Sequence, residues 1–275
     1  MANKRTEINN KKEFENLFWE ICHSNGDNPA SLFSDFLEII ICTFSHMQME
    51  ERYLQIIKRY PKKAHQMQSL FVLCLKCYSE ETRVAGWSDF LGSFYEEYIT
   101  TPSKASRTGQ FFTPPTICNL MAQINVGEDL VGGGKRVNDP TCGSGRTLLA
   151  MNTIAPNNYF FGEDIDPMCA YLTTVNFLLN GVKGQVVCWD AFFPADTYRF
   201  GFNCGVTSIG MPIVERLEME NSFSYQVWLS FIRNHEAKTA AEPTPTPTPE
   251  KNGNKLNKAI SGAKTTAPKP QLTLF

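Results

Sequence analysis

The stretch Asp139-Pro-Thr-Cys-Gly-Ser-Gly145 decides the fold. It follows a short run, Arg136-Val-Asn-Asp139, that is typical of a β-strand, and it precedes the apolar, helix-like stretch Thr147-Leu-Leu-Ala150. Glycines at such a turn let the backbone bend tightly and approach a ligand without an intervening Cβ atom. The sequence therefore predicts a ligand-binding turn between a strand and a helix.

Short apolar runs continue downstream of this turn and alternate with helix-like stretches. They are Tyr159-Phe-Phe-Gly162, Val186-Val-Cys-Trp189 and Cys204-Gly-Val206. Alternation at this spacing is typical of a parallel sheet with crossover helices. The chain is therefore expected to have an α/β fold with a doubly wound parallel sheet.

An acidic residue lies at or near the end of each of the first three predicted strands. Asp164 lies 25 residues after Asp139 (164 − 139), and Asp190 follows the third strand. Because the carboxyl ends of parallel strands meet at one edge of a sheet, the three carboxylates are expected to converge on one crevice. The alternative is that each carboxylate caps the helix that follows it.

The flanking regions differ from the α/β segment in composition. Apolar residues recur at helical spacing from about residue 11 to 98, which predicts a helical N-terminal domain over 1–100, followed by the α/β domain over 101–237. Residues 238–270 are rich in Pro, Thr and Lys, which predicts an extended, solvated tether. Cys74 and Cys77 form a C-x-x-C pair, but their apolar neighbours favour a buried helix face over a zinc site.

The bulk composition limits the classes of partner and compartment. The 26 Lys and Arg residues against 28 Asp and Glu give a formal charge of -2, which is weak for a protein that binds nucleic acid through phosphates alone. The start lacks an apolar signal core, and no apolar stretch approaches the length of a membrane span. A cytoplasmic protein without a membrane partner is expected.

Several motifs occur in an order that is highly specific. They are Asp89-Phe-Leu-Gly92 with Phe94-Tyr-Glu96, Thr108-Gly-Gln-Phe-Phe-Thr-Pro114, the glycine-rich turn, and the acid after Gly162. Together they resemble the N6-adenine DNA methylase family, specifically the modification subunits of type I restriction-modification systems. The resemblance spans roughly residues 90–189.

This resemblance implies a Rossmann-like methyltransferase fold that binds S-adenosylmethionine and acts on DNA. Phe112, Thr113 and Pro114 would border the methionine end of the cofactor, with ordinary core packing as the alternative for Phe112. The turn beneath it would be formed by Asp139, Cys142, Gly143 and Gly145. At the other end Asp164 would accept from the ribose hydroxyls, Ile165 would pack on the adenine, and Asp190 with Phe192 would receive the adenine amine and edge.

The resemblance fails at the predicted fourth strand, where the family has Asn-Pro-Pro followed by an aromatic residue. This chain has Thr207-Ser-Ile-Gly-Met-Pro-Ile213 there. If Pro212 is the second proline, Gly210 replaces the Asn and Ile213 replaces the aromatic ring. If Phe202 anchors the strand, Ser208 falls near the Asn position instead. A catalytic motif at Ser208, Gly210, Met211, Pro212 and Ile213 would therefore be degenerate, since the exocyclic amine of adenine needs acceptors and a stacking ring.

The last five residues, Gln271-Leu-Thr-Leu-Phe275, are apolar after a polar tract. They resemble the peptide by which bacterial replication and repair proteins bind the sliding clamp, with Gln271, Leu272, Leu274 and Phe275 as the contact residues. Apolar anchors on a flexible tether suit such docking. Chance recurrence of a pentapeptide is the alternative.

Three functions remain compatible with these features. The first is a weak or inactive N6-adenine DNA methyltransferase-like protein that binds S-adenosylmethionine and DNA. The second is an active, adenine-specific methyltransferase completed by a specificity or catalytic partner subunit. The third is a non-enzymatic adaptor or cofactor sensor at the sliding clamp.

Overall fold

The computed structural model describes residues 2–100 and 112–241, with side chains over 10–100 and 112–235. Residues 1–233 form one compact unit, and residues 234–275 are assigned to a second. The predicted tether beyond residue 241 and the terminal pentapeptide lie outside the described residues, as do residues 108–111 of the motif that ends at Pro114. The predicted division between residues 100 and 101 stays a prediction.

The N-terminal part of the described chain is made of helices. Its helices are α1 (Ala2–Asn25), α2 (Pro29–Thr43), α3 (Glu50–Ile57), α4 (Ala64–Ala85) and α5 (Phe90–Phe94), which continues as a π-helical turn (Tyr95–Ile99). Asn28 caps α2 by accepting from the backbone of Ala30, and Gly86 ends α4 in the left-handed conformation. A buried cluster of phenylalanine rings joins α1 and α2 to α5; it comprises Phe14, Phe18, Phe33, Phe36, Phe90 and Phe94.

Cys74 and Cys77 lie on the buried side of α4. Burial raises the pKa of both thiols, that of Cys77 to about 12. This confirms the interpretation of the C-x-x-C pair as part of a buried helix face.

Strands and helices alternate in the second part of the chain. Two helices, α6 (Pro115–Asn125) and α7 (Glu128–Val131), lead to β1 (Arg136–Asp139), and α8 (Arg146–Ile154) connects β1 to β2 (Tyr159–Asp164). Next come α9 (Pro167–Leu179), β3 (Gly184–Cys188), α10 (Pro194–Thr197), β4 (Phe200–Val206) and β5 (Pro212–Arg216). A 3-10 turn (Met219–Asn221) precedes α11 (Phe223–Ala241).

These strands form one mixed sheet in the order β1-β2-β3-β4-β5. The pairs β1-β2 and β2-β3 are parallel, so the predicted α/β class is confirmed, and these three strands form one half of a doubly wound order. The pairs β3-β4 and β4-β5 are antiparallel, so the prediction that the fourth strand is parallel was wrong. Only the 11 residues 189–199 separate β3 from β4, whereas a parallel crossover needs about a dozen or more.

Within the described ranges, no helix is long and apolar enough to cross a membrane.

Candidate cofactor cleft

A cleft of about 940 Å³ lies at the carboxyl ends of β2 and β3. An adjoining hollow of about 260 Å³ lies over the end of β1 and the glycine-rich turn. Of the predicted cofactor residues, the large cleft is lined by Phe112, Thr113, Gly143, Asp164, Ile165, Asp190 and Phe192. Asp139 and Cys142 line the hollow. Pro114 and Gly145 line neither; they cap α6 and α8.

The glycine-rich turn has a shape that only glycine fits easily. Gly143 has a φ of +57°, and a Cβ atom there would lie 3.0 Å from the ring of Phe112. Gly145 has a φ of +85°, and a Cβ atom there would lie 3.1 Å from Thr173. The backbone N–H of Cys142 donates to the carbonyl of Glu163 at 2.9 Å, which ties the turn to β2. The glycines therefore leave the backbone of the turn accessible from the cleft, without a Cβ atom in between.

Asp164 is held in place by two backbone donors. One carboxylate oxygen accepts from Gly143 N at 2.9 Å, and the other accepts from Asp166 N at 2.8 Å. Burial raises the pKa of the Asp164 carboxyl above its ordinary value of 3.8. A carboxylate offers about four acceptor positions, so lone pairs remain on both oxygens for a ligand with two hydroxyls.

Asp139, Asp164 and Asp190, at the carboxyl ends of β1, β2 and β3, are not helix caps. The caps of α8, α9 and α10 are Gly145, Asp166 and Phe193, respectively. Asp139 instead accepts from Thr141 N at 3.1 Å, and Asp190 accepts from Phe192 N at 2.9 Å. The capping alternative is therefore wrong for all three carboxylates.

Two apolar side chains are exposed in the cleft. Ile165 is 56% exposed and Phe192 is 70% exposed. Both follow an acid at a strand end, and both line the same cleft. Such surfaces are suited to contact with the faces or edges of a flat aromatic ligand.

A buried ionic network, which the sequence analysis missed, supports the mouth of the cleft. Arg146, only 5% exposed, places its Nε 2.5 Å from a carboxylate oxygen of Asp89 and its Nη2 2.8 Å from Glu96. Its guanidinium lies 5.2 Å from the centre of the Phe112 ring, and Glu96 accepts from Phe112 N at 3.0 Å. Phe112 therefore both packs in the protein, stacked on Tyr95, and lines the cleft.

The sequence signal for this network was the cationic residue Arg146 shortly before the apolar stretch Leu148-Leu-Ala-Met151. Asp89 also accepts from Ser144 Oγ at 2.6 Å and from Asn176 Nδ2 at 2.7 Å. Burial raises the pKa of the Asp89 carboxyl, and the nearby Arg146 opposes this rise. The network joins α5, the glycine-rich turn and α9 under the cleft.

Comparison with known proteins agrees with this architecture. Residues 87–199 match the family model described as N-6 DNA methylase. Residues 87–199 are therefore similar to N-6 DNA methylases. This segment includes α5, the network around Arg146 and the three strands whose carboxyl ends form the cleft.

Curated proteins that are similar to this chain include methylase subunits of type I restriction enzymes. The MjaIX subunit of Methanocaldococcus jannaschii is 27% identical over 128 residues, which cover 42% of this chain and 21% of the relative. The MjaVIII subunit of the same organism is 31% identical over 34% of this chain and 16% of the relative. The HindI subunit of Haemophilus influenzae is 29% identical over 38% and 25%, respectively.

A solved type I methyltransferase subunit from Streptococcus thermophilus matches 62% of this chain and 37% of its own, at 24% identity and a TM-score of 0.31. In all these cases the match spans well under half of the relative's length.

The loop predicted to hold a degenerate catalytic motif lies away from the cleft. Because β4 runs antiparallel to β3, its end lies at the amino edge of the parallel strands, opposite Asp164 and Asp190. Ser208, Gly210 and Met211 belong to the tight turn between β4 and β5, and Pro212 and Ile213 begin β5. None of these five residues lines the cleft or the hollow. The structure therefore does not bring them to the predicted cofactor residues, because strand direction sets the sheet edge at which a loop lies.

Proposed function

We propose that this chain is the S-adenosylmethionine-binding part of an N6-adenine DNA methyltransferase, related to the modification subunits of type I restriction-modification systems. The observation that carries the proposal is that Asp164 and Asp190 line one cleft while Asp139 lines the hollow that adjoins it at the glycine-rich turn. Ligands of open α/β sheets bind outside the carboxyl ends of the strands, which is where this cleft lies.

The shape and chemistry of the cleft suit S-adenosylmethionine. Asp164 would accept from the ribose hydroxyls, and Ile165 and Phe192 would border the adenine, whose amine would donate to Asp190. The methionine end would extend into the hollow beside Asp139 and the glycine-rich turn, where Phe112 and Thr113 form the wall. When bound, the cofactor supplies an electrophilic methyl group; the protein residues named here bind and orient it.

A target adenine needs further groups. Its exocyclic amine is a poor nucleophile, so a side-chain amide and a carbonyl must accept its hydrogens while a ring stacks on the base. Among the described residues, neither the cleft nor the hollow is lined by an Asn or Gln side chain. We therefore expect weak or no adenine methylation by this chain alone, and activity after a partner subunit completes the base site.

The terminal residues Gln271, Leu272, Leu274 and Phe275 support a second proposal, clamp binding, on sequence alone. Deleting these residues should abolish association with a bacterial sliding clamp in a pull-down and leave cofactor affinity unchanged. Equal clamp binding by the full and shortened chains would refute this role.

Calorimetry with S-adenosylmethionine tests the main proposal. Asp164→Ala should weaken binding roughly 10- to 100-fold, because a hydrogen bond to a charged group contributes about 1.5–3 kcal/mol. Asp196→Ala, which removes an exposed acid from α10, is the matched control and should bind as the unaltered protein does. Absence of binding by the unaltered chain would overturn the proposal. Transfer of labelled methyl groups to DNA of mixed sequence then measures activity with and without a partner.

A further inference from the structure

Strand β1 is at an edge of the sheet. It pairs with β2 on one side, and within residues 112–241 no strand pairs with its other side. A free strand edge presents unpaired N–H and C=O groups that can accept another strand. In β1, neither a proline nor a bulge blocks such pairing. The half sheet β3-β2-β1 therefore ends at the strand that leads into the glycine-rich turn.

Helix α6 exposes a continuous apolar stripe, made of Ile117, Leu120, Met121 and Ile124. The spacing of these residues is that of one helix face, and their exposed fractions run from 38% to 72%. Cys118 and Ala122, on the other face, are buried. A soluble helix normally turns such a stripe toward a core, so its exposure marks an interaction surface.

The stripe and the β1 edge adjoin each other at the cofactor site. Met121 lines the same hollow as Asp139 and Thr141, at the carboxyl end of β1. Val131, which ends α7 just before β1, is a further exposed apolar residue at 60%. One partner could therefore cover both features and reach the cleft.

We infer that a separate polypeptide adds a strand parallel to β1 and packs an apolar face on the α6 stripe. In doubly wound sheets the second half continues on the free side of the first strand, and the ligand crevice lies at that junction. The stretches of the type I methylase subunits that this chain matches are 16–25% of their length, so such proteins contain much more sequence than the part shared here.

Other occupants explain the surface less well. DNA binds through its phosphates to cationic groups, and the stripe has none. A second copy related by a twofold axis would bring its own β1 antiparallel, without a new strand or helix. Residues 101–111 and 242–275 consist mostly of polar residues, glycines and prolines, and this composition does not favour a strand with an apolar face.

The docking surface is inferred from β1 and α6 alone. The role of the partner, which is to bring the acceptors and the stacking ring for adenine to the cleft, rests on the proposed function. Cofactor binding by the isolated chain is measured separately, so failure of the proposed function and failure of this inference give different results.

Photocrosslinking in the native host is the first test. A benzoylphenylalanine at position 124 of the full chain should crosslink to one other polypeptide. The matched control is the same probe at position 84, since Val84 on α4 is 73% exposed and Ile124 is 72% exposed. No crosslink at position 124, or crosslinks only to DNA or to another copy of the chain, would overturn the inference.

Hydrogen exchange then tests strand addition, with the polypeptide that the crosslink identifies purified separately. Adding this polypeptide to the unaltered chain should slow amide exchange in both α6 and β1 at least tenfold. Ile124→Lys should abolish this protection, and Val84→Lys should not, while both variants keep the cofactor affinity of the unaltered chain. Protection of α6 without β1, or protection that survives Ile124→Lys, would contradict the inferred surface.

Discussion

Replacing Arg146 with methionine should destabilise the protein by about 3 kcal/mol at neutral pH. Arg146 and Asp89 are both almost fully buried and in contact at 2.5 Å, and removing one partner of a buried pair typically costs about 3–5 kcal/mol. The lower end of this range applies because the Asp89 carboxylate keeps three other hydrogen-bond donors. They are Ser144 Oγ at 2.6 Å, Asn176 Nδ2 at 2.7 Å and Gly92 N at 3.0 Å.

Thermal unfolding measures this loss. For a unit of 233 residues, about 3 kcal/mol corresponds to a fall in Tm of about 6–12 °C. The matched controls are Asp89→Asn and the double variant that combines Asp89→Asn with Arg146→Met. In the double variant a neutral Asn lies beside a methionine, so no buried charge is left unpaired. The double variant should recover at least half of the loss, and the resulting cycle isolates the coupling between the two residues.

The loss should depend on pH with a defined sign. Burial already raises the pKa of Asp89 in the folded protein, and without Arg146 that pKa rises further. A carboxyl whose folded pKa exceeds its unfolded pKa destabilises the fold fully above the folded pKa. This penalty shrinks as the pH falls through the folded pKa and is gone below the unfolded pKa. Arg146→Met should therefore be less damaging in acid. A loss under about 1 kcal/mol at neutral pH, or one that grows on acidification, would refute the role of Arg146.

Further predictions concern the cleft and the β4–β5 turn. Cofactor affinity should fall on acidification, beginning at a higher pH than for an ordinary Asp carboxyl, because burial raises the pKa of Asp164 and protonation removes an acceptor; a calorimetric titration that is flat in pH down to 4 would contradict this. Gly145→Ala should destabilise the protein by about 1–3 kcal/mol, because a residue with a Cβ atom is strained at the backbone φ of +85° found there. An unchanged urea unfolding curve would show that this strain is absent. Ser208→Ala, at the far edge of the sheet, should leave both cofactor affinity and any methyl transfer unchanged. Asp190→Ala, in the cleft, should weaken both. The opposite ranking in the two assays would show that the β4–β5 turn is part of the catalytic site.

The glycine-rich turn and the acids of the candidate site were predictable because their sequence signals are local. A strand, a glycine-rich turn and the acids after β2 and β3 are each readable within a few residues, and parallel strands then place Asp164 and Asp190 at the same edge. The direction of β4 was not readable from its own residues, since an apolar run looks the same in either direction. Only the short connection of residues 189–199 contained that information.

The network under the cleft was missed for a different reason. Arg146 bonds to Asp89, 57 positions away, and this distance is invisible to any local pattern. The motif Asp89-Phe-Leu-Gly92 was recognised by resemblance, but nothing in its sequence shows that its acid pairs with a cation after the glycine-rich turn. Likewise, the amphipathic pattern of α6 predicts a helix with a buried stripe, and only the fold shows that this stripe is exposed.

The position of Arg146 also has a practical consequence for dividing the protein. Asp89 and Glu96 lie on the N-terminal side of the predicted boundary between residues 100 and 101, and their cationic partner lies on the other side. A fragment that begins at residue 101 would keep Arg146 beneath the glycine-rich turn and lose both of its carboxylates. Such a fragment would fold poorly even though it contains every strand of the sheet, so any shortened protein made for biochemical work should begin before Asp89.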